Sequence, residues 1–111
     1  MSSLPRKQAA QLQALVGIKR QKAEQEMLIL QQDVRRIEGE ITQIEGNLKS
    51  LDKTGEEFDG ASLARRHGAV DRMIAELAAR KAALAARRLE LEASREALKR
   101  VMHSEDRIGD L

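Results

Sequence analysis

Cysteine, tryptophan and tyrosine are absent from this 111-residue chain, and phenylalanine occurs once, as Phe58. Without bulky aromatic side chains a three-dimensional interior is hard to fill, so only a thin core is expected. Without cysteine there is neither a disulfide framework nor a thiolate metal site. The sequence therefore predicts one domain over residues 1–111, with no cofactor, no metal and no redox chemistry.

Long apolar runs are missing as well, since none approaches the roughly 20 residues that span a bilayer. The segment from Met1 to Ala10 lacks the apolar centre of a signal peptide. We therefore expect a cytoplasmic protein without direct membrane insertion. Proline occurs once, as Pro5, and the commonest residues are strong helix formers such as alanine, leucine and arginine. Long uninterrupted helices are the expected structure.

Apolar residues recur at alternating steps of three and four along the first half of the chain. This heptad pattern keeps one stripe of a helix against a partner helix, as in a coiled coil. The stripe, here called the seam, contains Ala23, Met27, Leu30, Val34, Ile37, Ile41, Ile44, Leu48 and Leu51. The pattern predicts helix one over about residues 4–52, with a less regular register before Ala23.

The second half of the chain carries its own heptad column. A turn is predicted at about residues 53–60, where two glycines occur, and helix two over about 61–107. Its column of Leu63, Val70, Leu77, Leu84, Leu91 and Leu98 has a spacing of seven. The intermediate seam places are assigned to Ile74 and Met102, and to the polar residues His67, Lys81, Arg88 and Arg95.

Cations in a seam need an acidic partner, and helix one supplies carboxylates beside its own seam. The sequence therefore predicts an all-α fold, a long antiparallel two-helix coiled-coil hairpin about 70 Å long. Folding back about residue 57 places Ile44 near Val70, Ile37 near Leu77, Leu30 near Leu84 and Ala23 near Leu91. In this register Asp33 lies beside Lys81, and Glu26 lies beside Arg88.

Catalysis requires groups that converge on a pocket, and a two-helix hairpin offers none. His67 and His103 are too far apart to share a metal, and no phosphate-binding or nucleophile motif occurs. The net charge of only +2 and the lack of aromatic stacking residues disfavour nucleic-acid binding. We therefore expect no enzyme and no small-molecule substrate, but a protein that binds other proteins.

Some apolar residues are left over after the seam is filled. The cluster of Leu12, Leu15 and Ile18 lies where the seam register becomes irregular, and the hairpin brings it near Val101 and Met102. We predict a protein contact at these five residues.

Three stretches of the chain form one recognisable arrangement: the segment from Leu12 to Glu24, the heptads that follow to Leu51, and the segment from Leu63 to Ile74. This arrangement resembles the FliJ/YscO family of coiled-coil stalk proteins from flagellar and injectisome type III secretion. The resemblance implies a central stalk that enters a hexameric export ATPase and links it to the export gate. It also implies a location at a membrane-embedded secretion apparatus.

Two other interpretations remain open. The first is a self-associating scaffold or tether, a homodimer in which two hairpins pair into a four-helix bundle and bury the cation-lined side of helix two. The second is a nucleic-acid-binding arm, whose affinity would fall steeply with added salt.

Overall fold

Two long α-helices form the chain in the computed structural model, which describes residues 5–53 and 60–110, with side chains described for 5–51 and 64–110. Helix α1 runs over Arg6–Lys53 and helix α2 over Gly60–Gly109, in agreement with the predicted all-α helical hairpin. The predicted turn falls mainly on residues 54–59, which lie outside the described part of the chain. The side chain of Leu63 lies outside it too.

Helix α1 begins directly after the single proline. The amide of Ala9 donates a hydrogen bond of 3.0 Å to the carbonyl of Pro5, which is the first turn of the helix. Proline fits here because the first amides of a helix have no intrahelical acceptor, so its missing N–H costs nothing. No proline interrupts either helix afterwards, and this lets each continue for about 50 residues.

Contacts divide the chain into a first unit, Met1–Gln32 with Arg88–Leu111, and a second unit, Asp33–Arg87. Each unit contains one segment of α1 and one of α2. In the second unit Asp33 pairs with Arg87 and Glu40 pairs with Arg80. Residue numbers therefore rise along one segment as they fall along the other, which makes the two segments antiparallel.

The core is as thin as the composition predicts. Six hydrophobic side chains are buried in the described part of the chain, and all lie in the heptad stripes that face the partner helix. They are Val16, Val34, Ile37, Ile41, Leu84 and Leu91. The other described members of the α1 seam are half-buried: Ala23, Met27, Leu30, Ile44, Leu48 and Leu51.

One column of the α2 seam differs from the prediction. Val70, Leu77 and Leu98 are half-buried beside the two buried leucines, but Ile74 is 53% exposed and Met102 is 47% exposed. His67, Lys81, Arg88 and Arg95 are also exposed. The second column instead lies three residues after each member of the first, where Arg80 is exposed and four residues are half-buried: Met73, Arg87, Ser94 and Val101. The assignment of Ile74 and Met102 to the seam was therefore wrong by one residue.

The register between the helices also differs from the prediction. In the two ion pairs that join α1 to α2 in the second unit, 33 with 87 and 40 with 80, the residue numbers add up to 120. The predicted layers, such as 37 with 77, add up to 114. The difference is close to one heptad, so Ile37 lies near Leu84 rather than Leu77. Accordingly, Asp33 pairs with Arg87 and not with Lys81.

Candidate protein-binding surface

A network of charged side chains joins the two helices of the second unit. The Nε of Arg87 donates a hydrogen bond of 2.7 Å to Oδ2 of Asp33. On the other oxygen of Asp33, Arg36 donates from Nη2 at 2.7 Å, and its Nη1 donates to Glu40 at 2.6 Å. Arg80 ends the network, with its Nε 2.8 Å from Oε2 of Glu40. That last contact is an ion pair without an aligned hydrogen bond.

The network changes the proton affinity of two of its members, Asp33 and Arg36. The pKa of Asp33 is lowered, first by the hydrogen bond from Arg36 and then by that from Arg87. The pKa of Arg36 is raised, chiefly by its hydrogen bond to Asp33. Charged partners favour the charged form of each group, so Asp33 stays ionised well into the acid range. The network therefore fixes charge at the seam edge.

Arg20 plays a similar part in the first unit. Its Nε lies 2.9 Å from Oε2 of Glu105 on α2, and its Nη1 lies 2.9 Å from Oε1 of Glu24 on α1. The hydrogen bond to Glu105 is the main cause that raises the pKa of Arg20. Val16, one helical turn earlier, is buried. The seam therefore continues before Ala23 through Arg20 and Val16, where the sequence pattern alone looked irregular.

The predicted partner-contact residues are exposed to different degrees. Leu12 is 36% exposed, Leu15 50% and Ile18 62%, all on α1. On α2, Val101 is half-buried and Met102 is exposed. Val101 and Val16 line a shallow groove together with Lys19, Ala97, Arg100 and Ser104. A second groove, on α1 itself, is lined by Gln8, Gln11, Leu12 and Leu15.

The structure thus brings Val101 beside the α1 segment that carries the apolar cluster, while Leu15 and Ile18 point away from the seam. Both grooves combine apolar side chains with amide or cationic groups. Such surfaces suit contact with another protein better than enclosure of a small molecule.

Groups that could hold a metal do not occur among the described residues, where no cluster of three or more histidine, aspartate or glutamate side chains is found. His67 lies 3.7 Å from Asp71, and both are largely exposed. Within the same part of the chain, neither helix has a stretch long and apolar enough to cross a membrane.

Sequence reasoning missed Arg80 and Arg87, the two α2 residues that pair with acids of α1. Arginine is strongly polar, so an apolar pattern does not select it, although its long stem can cover a seam while its guanidinium reaches the edge. A usable signal was present in the spacing, because Asp33 and Glu40 lie seven apart, as do Arg80 and Arg87.

No family model, no curated protein and no solved structure shows a significant match to this chain.

Proposed function

We propose that this chain is a non-enzymatic coiled-coil stalk of a type III export ATPase, flagellar or injectisome. In this role one end of the hairpin enters the ATPase ring and the chain links the ring to the export gate at the cytoplasmic face of the membrane. The stalk hydrolyses nothing itself. It promotes assembly of the ring and turnover by presenting an uneven helical surface to the surrounding subunits.

The observation that carries the proposal is a cluster of exposed apolar side chains on α1. Leu12, Leu15 and Ile18 are exposed beside a groove formed by Val16 and Val101. An exposed cluster of this kind marks a protein contact more often than a scattered single leucine does. The seam supports the proposal further, because within each unit it packs a segment of α1 against a segment of α2.

The experiment uses the full chain and a purified type III export ATPase. We expect the chain to co-elute with the ATPase and to raise its turnover, with saturation as the chain is titrated. A chain that neither binds the ATPase nor changes its turnover would contradict the proposed function.

A matched pair of variants locates the contact. Leu15 and Leu28 are both leucines of α1 and are 50% and 51% exposed. Because a charge inside a contact is desolvated without a partner, Leu15→Glu should weaken ATPase binding by roughly tenfold or more. Leu28→Glu should leave binding within about twofold of the unchanged chain, because a single exposed leucine outside a contact contributes little. Equal losses in both variants would place the contact elsewhere.

A further inference from the structure

Helix α1 carries a second heptad stripe, on a face that α2 does not cover. Its members follow alternating steps of three and four, and every one of them is exposed. The stripe, here called the outer stripe, consists of Gln8, Gln11, Leu15, Ile18, Lys22, Gln25, Ile29 and Gln32. It lies entirely within the first unit.

The composition of the outer stripe differs from that of a solvated helix face. Lys22 is its one charged residue, in a chain in which charged residues make up 34%. Leu15, Ile18 and Ile29 are 50%, 62% and 58% exposed. Glutamine and lysine can place their methylene groups over apolar neighbours and still reach water with their polar ends. A helix with two heptad stripes is suited to pack against two neighbouring helices.

We infer that the outer stripe is the surface through which two copies of this chain pair, with their α1 helices antiparallel. A parallel pair would set Lys22 of one copy against Lys22 of the other. In the antiparallel pair Ile18 meets Ile29 of the second copy, and Lys22 meets Gln25. The two-fold symmetry repeats each of these contacts, which gives two isoleucine layers, one on each side of a polar centre.

Charge on the flank of the stripe favours the same arrangement. Lys19 and Glu26 are exposed, lie seven residues apart along α1 and border the outer stripe on the same side. The antiparallel layers place Lys19 of each copy beside Glu26 of the other, so two opposite-charge contacts form across the pair. Neither residue takes part in an ion pair within the described part of its own chain, so both are free to make this contact.

The pairing would cover two residues of the proposed ATPase contact, Leu15 and Ile18. Self-association and partner binding would then compete, and the apolar side chains would be shielded until the partner takes the surface. The contact is small, with three apolar residues from each copy, so we expect reversible association with a dissociation constant on the order of tens of micromolar. This face differs from the cation-lined side of α2 that the sequence suggested for a four-helix bundle.

The pairing is tested by sedimentation equilibrium of the isolated full chain at concentrations from about 1 µM to 1 mM. Variants that reverse the charge at Lys19 or Glu26 are compared with the unchanged chain. Lys19→Glu sets like charges together at both contacts, and so does Glu26→Lys. Each should raise the dissociation constant by roughly tenfold or more. The double variant Lys19→Glu/Glu26→Lys exchanges the two charges and should restore the dissociation constant to within about threefold of the unchanged chain.

Lys49→Glu is the control, because it makes the same charge change on α1 outside the stripe and should leave association unchanged. Circular dichroism confirms that each variant remains helical. A chain that stays monomeric over the whole range overturns the inference and leaves the stripe to a different protein. So does a double variant that associates no better than the single ones. The ATPase experiment is not needed for either outcome, and so the two proposals fail separately.

Discussion

Single residues show how narrow the seam is. Ile37 is 2% exposed, whereas Ile74 is 53% exposed in the same unit, although both are isoleucines within long helices. Truncating a buried isoleucine removes its transfer free energy and leaves a cavity, while an exposed one loses little of either. Ile74 therefore distinguishes the observed α2 seam from the predicted one, and Ile37 serves as the buried reference.

Ile37→Ala should lower the free energy of unfolding by about 2–4 kcal/mol. Ile74→Ala should change it by less than about 0.5 kcal/mol, because surface substitutions have small effects and alanine is the better helix former. Urea unfolding followed by circular dichroism measures both values. A comparable loss at Ile74 would show that this residue packs in the seam after all.

Asp33 makes stability depend on pH in the acid range. Its pKa is lowered in the folded chain by Arg36 and Arg87, whereas in the unfolded chain it lies near its usual value, about 3.9. The folded state therefore binds the proton less readily. The stabilisation is present above the unfolded pKa and is lost as the pH falls through the lower folded pKa.

Asp33→Asn removes this contribution. At pH 7 the variant should melt at a lower temperature than the unchanged chain, and the gap should narrow as the pH falls below about 4. Thermal melts at a series of pH values test this expectation, with Asp71→Asn as an exposed control on α2. A gap that stays constant down to pH 2 would mean that the ionised carboxylate is not what stabilises the fold.

At the scale of the helices, the sequence predicted the seam correctly where the apolar spacing allows one assignment. The prediction was wrong where the spacing allows more than one. The α1 seam and the leucine column of α2 followed from spacing alone. The second α2 column did not, because Ile74 and Met102 are apolar, while Arg87 and Ser94 occupy half-buried places. A search for apolar residues assigns Ile74 and Met102 to the seam. In the structure, packing places Arg87 and Ser94 there instead.

The predicted register between the helices was wrong for a related reason. Leucines that repeat every seven residues match the α1 seam equally well before and after a shift of one heptad. The charged network distinguishes the two alignments: the observed one satisfies both Asp33 and Glu40 with arginines, whereas a shift by one heptad toward the predicted register sets Asp33 near Arg80 and Glu40 near Met73. The sequence predicted the exposed apolar cluster of Leu12, Leu15 and Ile18 residue by residue. The outer stripe could be identified only once the exposure of each side chain on α1 was known.

Cross-linking tests the register directly, since the chain has no cysteine of its own. A disulfide requires Cα atoms within about 7 Å. The variant Ile37→Cys/Leu84→Cys should form an intramolecular disulfide on mild oxidation, and Ile37→Cys/Leu77→Cys should form little. Mobility on a non-reducing gel distinguishes them. Preferential closure of the 37/77 pair would restore the register predicted from sequence.

For the whole molecule, charge is abundant but nearly balanced, with 20 basic and 18 acidic residues. The ion pairs of the described part have partly exposed side chains, and exposed pairs contribute little and are screened by salt. We therefore attribute most of the stability to the seam and expect the charges to act mainly on register and partner choice.

Raising sodium chloride from about 0.05 M to 1 M should accordingly lower the melting temperature only slightly. The same change should remove the difference in the dissociation constant of self-association between the double variant Lys19→Glu/Glu26→Lys and the two single variants. Parallel thermal melts and sedimentation runs compare the two effects. Complete unfolding in high salt would show that ion pairs, rather than the seam, hold the helices together.

The leucine column of α2 has a consequence for how such a chain can change in length. Removing seven residues from α2 and seven from the facing part of α1 returns every remaining leucine to an equivalent neighbour. Removing four or five would rotate the following residues away from the partner helix. Hairpins of this design can therefore shorten or lengthen by whole heptads, provided that both helices change together. A hairpin that keeps an acid of α1 and its arginine partner on α2 would also keep the alignment of the two helices.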